Sequence, residues 1–343
     1  MPHRSIGTRA FVCALELAGA AGFLMLAAPA AAACQLRQLA EIPVEIVGNR
    51  PVISGQINEH DATFLVDTGA SSSTIWYQST KKLGLRPQFS SGTSFAGVGG
   101  NSEAGYVALD TLMFASLTIR KVHMFVSGQF SAGDAATDAV LGAEFLGLTT
   151  VEFDLAHRVI RLLDDNDCKG DEVVYWHGAY AVEKLTHPKD PNGKFQVEVK
   201  LNGNRARAQL DTGASTSVLS AEGAAIAGVK PVAGKDGDDF SGIGHKAVAA
   251  STVKLDTFAF DQEVIQNPKI STADLFGANQ QVSLGSRIPQ YNQDFPAILL
   301  GADFFLSHRV LVSQAQGRVY ISYVGGPVFQ TSVPSATVAA PGK

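Results

Sequence analysis

The chain has 343 residues and a formal net charge of −5 at neutral pH, with 45% hydrophobic and 17% charged residues. This length predicts two domains, because a single hydrophobic core rarely grows so large. The negative charge argues against nucleic acid or an anionic membrane surface as a partner, and the 34 glycines favour strands and tight turns over long helices.

The first 33 residues predict a cleaved secretory signal peptide. His3, Arg4 and Arg9 form a weakly basic start, residues 11–28 are mostly apolar, and the alanines at 30–33 suit a signal peptidase. An uncleaved membrane anchor is the alternative. No later segment is long and apolar enough to span a bilayer, so we expect an exported protein, periplasmic or extracellular, with no membrane span in the mature chain.

The mature chain keeps two cysteines, Cys34 and Cys168, because Cys13 lies in the predicted signal. An even pair in an exported protein favours a disulfide. The alternative is a lipid on Cys34 after lipoprotein-type cleavage, although Ala31 stands where such signals usually carry a larger aliphatic residue. The cysteines and the scattered histidines form no metal-ligand spacing, so we expect neither a metal nor a cofactor.

The sequence also repeats itself. Asp-Thr-Gly-Ala-Ser at 67–71 returns 144 residues later at 211–215. Four further pairs follow in the same order: 84–87 with 228–231, 95–99 with 240–244, 109–111 with 255–257, and Leu-Gly-Ala-Glu-Phe at 141–145 with Leu-Gly-Ala-Asp-Phe at 300–304. Five collinear matches indicate an internal duplication.

Each copy predicts mostly β structure. A partly alternating strand, a polar turn and a second strand lead into each Asp-Thr-Gly, and short helices are predicted after it and after each Leu-Gly. The expected domains are an N-terminal lobe at 34–164, a linker at 165–180, a C-terminal lobe at 181–326 and a flexible tail at 327–343.

The paired aspartates suggest a reaction. A single Asp-Thr-Gly commonly marks only a turn. Two of them in homologous lobes can face each other across a pseudo-twofold axis, where both carboxyls cannot ionise cheaply and one proton is shared. The ionised partner can take a proton from water while the protonated one hydrogen-bonds a substrate carbonyl. This chemistry hydrolyses a peptide bond without a covalent intermediate.

Leu-Val-Asp-Thr-Gly-Ala-Ser at 65–71, with Val-Leu-Gly at 140–142 and a second copy of both, resembles the retropepsin-like aspartic peptidase family. Tandem copies in one chain resemble the two-lobed pepsin arrangement and are similar to exported bacterial proteins of this type. The resemblance covers 45–163 and 190–323. It implies two homologous β-barrel lobes related by a pseudo-twofold axis, a cleft between them that takes an extended polypeptide, and a monomer, since one chain holds both half-sites.

The same resemblance implies roles for individual residues. Asp67 and Asp211 would be the catalytic pair, and the residues that support them would be Thr68, Gly69, Ala70, Thr212, Gly213 and Ala214. Pepsins usually carry a hydroxyl residue where Ala70 and Ala214 stand. Without a hydroxyl to favour ionised carboxylates, the expected pH optimum is mildly acidic. The alternative is a catalytically silent module that retains the cleft and binds peptide.

Members of this family also have a mobile hairpin, the flap, that closes over bound peptide. Glycine-rich tips occur in both copies, so both lobes are expected to contribute a flap, and no tyrosine typical of the single pepsin flap is found. Two ordinary hairpin turns are the alternative. The predicted flap residues are Phe95, Gly97, Val98 and Gly99 in the first copy and Phe240, Gly242, Ile243 and Gly244 in the second.

Overall fold

In the first copy, strands that are mostly apolar on one face alternate with tight turns. A computed structural model describes residues 34, 36–98, 100–128, 136–187, 195–230, 248–276, 281–282, 290–291 and 295–330. The strands of the first half are β1 (Arg37–Pro43), β2 (Glu45–Val47), β3 (Arg50–Ile57), β4 (His60–Val66), β5 (Thr74–Ile75), β6 (Gln88–Gly97), β7 (Gly100–Phe114), β8 (Leu117–Ser127), β9 (Ala139–Leu141), β10 (Thr150–Asp154) and β11 (Val159–Asp164). Its α1 helix is Ala143–Leu146, and short 3-10 helices lie at Tyr77–Ser79, Leu155–His157 and Gly170–Val173.

The second half repeats this order. Its strands are β12 (Ala181–Lys184), β13 (Gln196–Leu201), β14 (Asn204–Leu210), β15 (Val218–Leu219), β16 (Ala250–Lys254), β17 (Thr257–Phe260), β18 (Glu263–Gln266), β19 (Lys269–Ala273), β20 (Gln281–Val282), β21 (Gln290–Tyr291), β22 (Ile298–Leu300), β23 (His308–Ser313) and β24 (Arg318–Tyr323). Helices α2 (Ala221–Ile226) and α3 (Ala302–Ser307) follow the second Asp-Thr-Gly and the second Leu-Gly. No helix of the described residues is long and apolar enough to cross a membrane.

Two eight-stranded sheets form the two lobes. The first has the order β2-β3-β4-β9-β5-β8-β7-β6, and the second has the order β16-β19-β15-β22-β14-β13-β17-β18. The strand that ends at each aspartate pairs in parallel with the Leu-Gly strand of the same lobe, β4 with β9 and β14 with β22. The prediction of a mostly β fold built from two homologous lobes is therefore confirmed.

A six-stranded sheet joins the lobes, in the order β1-β11-β10-β23-β24-β12. Three strands come from each half, and the halves meet where Phe153 pairs with Val310. The ring of Phe153 packs edge-on against Phe305 with centroids 5.4 Å apart. Arg309 of β23 reaches back to Asp154 of β10 at 2.6 Å. The halves thus share backbone hydrogen bonds, apolar packing and an ion pair.

The predicted disulfide between Cys34 and Cys168 is confirmed. Cys168 is buried in a small cluster with Leu163, Val173 and Tyr320, against which Cys34 packs. The bond uses the Cys34 thiol, which lipidation would require. It therefore ties the start of the described chain to the segment between the two lobes.

Replacing both cysteines with alanine is expected to lower the free energy of unfolding by about 2–5 kcal/mol. The cross-link joins residues separated by 134 positions, so its loss frees a long loop in the unfolded chain. Urea unfolding of the double variant and of the parent chain, each with and without reductant, measures this. Equal midpoints for the variant and the parent chain without reductant would contradict the expectation.

Candidate active site

Asp67 and Asp211 occupy equivalent positions at the ends of two buried strands. The Asp67 N–H donates to the carbonyl of Leu141 at 3.0 Å, and the Asp211 N–H donates to Leu300 at 2.9 Å. Each Leu-Gly strand therefore supports the aspartate of its own lobe. The duplicated sequence places the two carboxyls by the same local geometry.

The turn after each aspartate points its backbone N–H groups at that carboxyl. Asp67 Oδ1 accepts from Gly69 N at 2.8 Å and from Ala70 N at 3.1 Å. The corresponding N–H groups of the second turn donate to Asp211 at 3.1 Å each. These donors orient the carboxyl and favour its ionised form.

The two turns approach so closely that each needs a glycine. A Cβ added to Gly69 would overlap the carboxyl of Asp211, and a Cβ added to Gly213 would overlap the carboxyl of Asp67. The overlap is reciprocal, so the aspartates lie against each other's turns. Predicted Asp67, Gly69, Asp211 and Gly213 are brought together at one place.

The pKa values of both carboxyls are raised. Burial raises the pKa of Asp67, while its turn N–H groups, the hydrogen bond from Asp211 and the positive charge of Arg50 act to lower it. Burial and the neighbouring charge of Asp67 raise the pKa of Asp211 well above its ordinary value. Because the second ionisation must overcome the first charge, the pair keeps one proton over a wide pH range.

Two threonines lock the turns together below the aspartates. Thr68 Oγ1 donates to the Leu210 carbonyl at 2.8 Å and accepts from Thr212 N at 3.0 Å. Thr212 Oγ1 donates to the Val66 carbonyl at 2.7 Å and accepts from Thr68 N at 3.1 Å. Both threonines are buried. This symmetric set of four bonds crosses from one lobe to the other.

The sequence analysis missed a serine and an acidic residue in each lobe that hydrogen-bond behind the aspartate turn. Ser73 Oγ accepts from Gly142 N at 2.7 Å, and Ser217 Oγ accepts from Gly301 N at 2.9 Å. The acidic residue of each Leu-Gly-Ala-Glu/Asp element binds the same serine in turn, Glu144 in the first lobe and Asp303 in the second. The repetition of an acid at this position was the sequence signal that could have revealed it.

Asp303 makes stability pH-dependent. Burial raises the pKa of Asp303 to about 6, against hydrogen bonds from Ser217, Gln330 and Phe304 that act to lower it. The ordinary pKa of this carboxyl is 3.8. Protonated Asp303 therefore stabilises the folded state fully below pH 3.8, and this contribution is lost as pH rises to about 6. We expect the free energy of unfolding to fall by about 3 kcal/mol across this interval.

Urea unfolding between about pH 3.5 and 7 measures this fall in the free energy of unfolding. The matched variant is Asp303→Asn, which cannot ionise and should show a flatter pH dependence whatever its absolute stability. A wild-type curve that rises with pH across the interval, or one parallel to that of the variant, would contradict it.

The first predicted flap is a long hairpin. Strands β6 and β7 pair up to the tip, where Gly97 lies opposite Gly100. Val98 at the tip packs on an apolar cluster of the second lobe, formed by Val218, Ala273, Leu275 and Leu299. The hairpin thus spans from the first lobe to the second. The other predicted flap residues lie partly or wholly outside the described residues. They are the side chain of Phe95, all of Gly99, and Phe240, Gly242, Ile243 and Gly244 of the second tip.

Two linked hydrogen bonds of the second lobe break the twofold relation. Gln209 Nε2 donates to the Gly69 carbonyl at 3.4 Å, and Gln196 Nε2 donates to Gln209 Oε1 at 3.4 Å. The equivalent strand pair of the first lobe is Val52 and Leu65. Sequence comparison of the two copies could have found this difference. It makes the surroundings of the two turns chemically unequal.

Two facing aspartate turns, interlocked threonines and two β lobes joined by a shared sheet define the architecture of an aspartic peptidase. The chain belongs to the aspartyl protease family, because the model of that family matches residues 53–145 and 197–304, more than half of the chain. Among solved structures, basic 7S globulin from soybean is similar, with 14% identity and a TM-score of 0.44 over 84% of this chain and 95% of that one. A comparison with curated proteins found no match.

Proposed function

We propose that the chain is an aspartic endopeptidase in which Asp67 and Asp211 activate a water molecule to hydrolyse peptide bonds. The observation that carries this proposal is the reciprocal approach of the two carboxyls, each lying against the glycine of the opposite turn. Membership of the aspartyl protease family supports it independently. The interlocked Thr68 and Thr212 and the turn donors of Gly69, Ala70, Gly213 and Ala214 would hold the geometry.

The charges around the two carboxyls differ, and this difference assigns a role to each. We assign Asp67 as the ionised partner, because the charge of Arg50 acts to lower its pKa, whereas both aspartates accept two turn N–H bonds. Asp211 carries the proton, because the charge of Asp67 adds to burial in raising its pKa. Asp67 takes a proton from water while the water oxygen bonds to the carbonyl carbon and Asp211 protonates the carbonyl oxygen. The C–N bond then breaks as the leaving nitrogen takes the proton that Asp67 holds, and Asp211 takes a proton from one hydroxyl as the carbonyl re-forms.

The substrate would be an extended polypeptide bound between the lobes. The Val98 tip and the apolar cluster that it contacts favour apolar side chains near the scissile bond.

Both half-sites lie on one chain, which supports action as a monomer. The disulfide supports an exported protein, periplasmic or extracellular, cleaved after the predicted signal at 1–33. Lobes at 34–164 and 181–326 with a linker at 165–180 complete the proposed organisation.

Cleavage of a reduced and alkylated protein substrate is expected to be fastest at about pH 4–6, where one carboxyl of a raised-pKa pair is ionised. Fragment release across the acidic and neutral range measures it. Ala70→Ser would add a hydroxyl donor beside Asp67 and should move the optimum to lower pH. A wild-type maximum near pH 2 would contradict the assignment, and peptide binding without cleavage at any pH would identify a silent binding module.

A further inference from the structure

The carboxyl group of Asp303 is fully buried and lies behind the second catalytic turn. Its Oδ1 accepts from Ser217 N at 2.8 Å, from Ser217 Oγ at 2.7 Å and from Phe304 N at 2.9 Å. Its Oδ2 accepts from the backbone N–H of Gln330 at 2.9 Å. Four donors thus converge on one buried acid, and the donor on its second oxygen comes from beyond the last strand.

Residues 328–330, called here the C-terminal segment, are held in place by packing. The Phe329 ring lies edge-on to Phe258 with centroids 5.1 Å apart and stacks on Phe304 at 6.5 Å. Val328 also packs against the main core. These contacts hold the Gln330 N–H in position against Asp303, in a stretch that the sequence assigns to a flexible tail. Residues 331–343 lie outside the described residues.

The C-terminal segment also contacts the catalytic turn through the first lobe. Asn49 is 8% exposed and lies in the turn between β2 and β3. Its Nδ2 donates to the Ser215 carbonyl at 3.3 Å and to Gln330 Oε1 at 3.2 Å. Ser215 ends the second Asp-Thr-Gly-Ala-Ser. Gln330 therefore reaches the turn of Asp211 by two routes, one through Asp303 and one through Asn49.

The first lobe supports its turn differently. Glu144 Oε1 accepts from Ser73 N at 2.5 Å, but its buried Oε2 has no hydrogen-bond partner among the described residues. Among the described residues, the corresponding donor is supplied only in the second lobe, by the C-terminal segment. The two catalytic turns therefore differ in the hydrogen bonds made by the buried acid that supports each of them.

We propose that the C-terminal segment is a positioning element for Asp211, and that Gln330 acts through its backbone N–H on Asp303 and through its side chain on Asn49. The inference rests on the proposed function, because it predicts how well the peptidase works. Losing the Gln330 N–H leaves one oxygen of a buried acid without its donor, and the Ser217 end of the catalytic turn can then shift. A small displacement of a catalytic group costs rate more than substrate binding.

The decisive variant is Gln330→Pro, which keeps the chain length but has no backbone N–H. We expect kcat on the alkylated substrate to fall by about tenfold or more while KM changes by less than about threefold. The pH–rate profile, which reports the aspartate pair, should also move. Gln330→Ala keeps the N–H and should have a smaller effect. A chain that ends at Val333 retains every contact described above and should cleave like the full chain.

Asp303→Asn tests the same contact from the other side. Its amide nitrogen cannot accept the Gln330 N–H, whereas Asp303 Oδ2 can accept it whether or not the carboxyl is protonated. We expect the loss seen for Gln330→Pro, and the double variant should be no worse than either single one, because both remove one interaction. If Gln330→Pro does not fold, as thermal melting would show, Asp303→Asn decides the question in the same assay.

The outcomes separate the two proposals. If the wild-type chain cleaves, and folded Gln330→Pro and Asp303→Asn match its kcat and pH profile, the positioning role is overturned while the peptidase function stands. If both fold but lose rate only through a raised KM, the C-terminal segment affects binding and the inference is wrong. If the wild-type chain does not cleave, the proposed function fails and this inference fails with it.

Discussion

Replacing Asp67 or Asp211 with asparagine is expected to lower kcat at least about 10³-fold. An amide at either position cannot share the proton, so water is no longer activated or the carbonyl is no longer polarised. The double variant should be little worse than the single ones, because the two carboxyls work as one unit. Fragment release from the alkylated substrate at the wild-type optimum measures this effect.

The same variants should not lose stability at neutral pH. Burial raises the pKa of both aspartates, so their ionisation weakens the fold as pH rises through those raised values. Asparagine removes that loss, and thermal melting at pH 7 should give an unchanged or higher midpoint. Asp110→Asn, at an exposed surface pair with Lys121, is the matched control and should retain full activity. Cleavage by the Asp67→Asn or the Asp211→Asn variant at near wild-type rate would remove that aspartate from the proposed mechanism.

The second large effect is expected at the threonine interlock. Thr68→Val removes the hydroxyl that bonds the Leu210 carbonyl and the Thr212 N–H, and leaves both groups buried without that partner. The free energy of unfolding should fall by about 2–5 kcal/mol. Thr212→Val should cost a similar amount, because its hydroxyl makes the equivalent pair of bonds. Urea unfolding of each variant measures the loss.

Two controls separate the hydrogen bonds from the change of side chain. Thr68→Ser keeps the hydroxyl and should recover most of the stability. Thr150 is buried, and its hydroxyl has no hydrogen-bond partner among the described residues, so Thr150→Val should be neutral or stabilising. Equal losses for Thr68→Val and Thr150→Val would show that the interlock contributes no stability. The double variant Thr68→Val/Thr212→Val should lose less than the sum of the single losses, because the two hydroxyls belong to one network.

Sequence reasoning was most successful where information was local. The repeated Asp-Thr-Gly and Leu-Gly elements, with an apolar strand before each aspartate, predicted the two lobes and the positions of Asp67 and Asp211. A strand pattern and a turn motif each depend on a few neighbouring residues, and the duplication doubled the signal. The pairing of Cys34 with Cys168 was predictable because only two cysteines follow the predicted signal.

The contacts that position the site were decided by tertiary structure. Gln330 binds Asp303, Asn49 binds Ser215, and Gln209 reaches Gly69 from the other lobe. The last two contacts join residues 166 and 140 positions apart, and no local pattern encodes which distant polar groups will meet. Such partners are selected only when the packed lobes exclude water and every buried donor and acceptor must find a neighbour. The sequence by itself thus determined the family and the two aspartates, whereas tertiary packing decided what holds them in place.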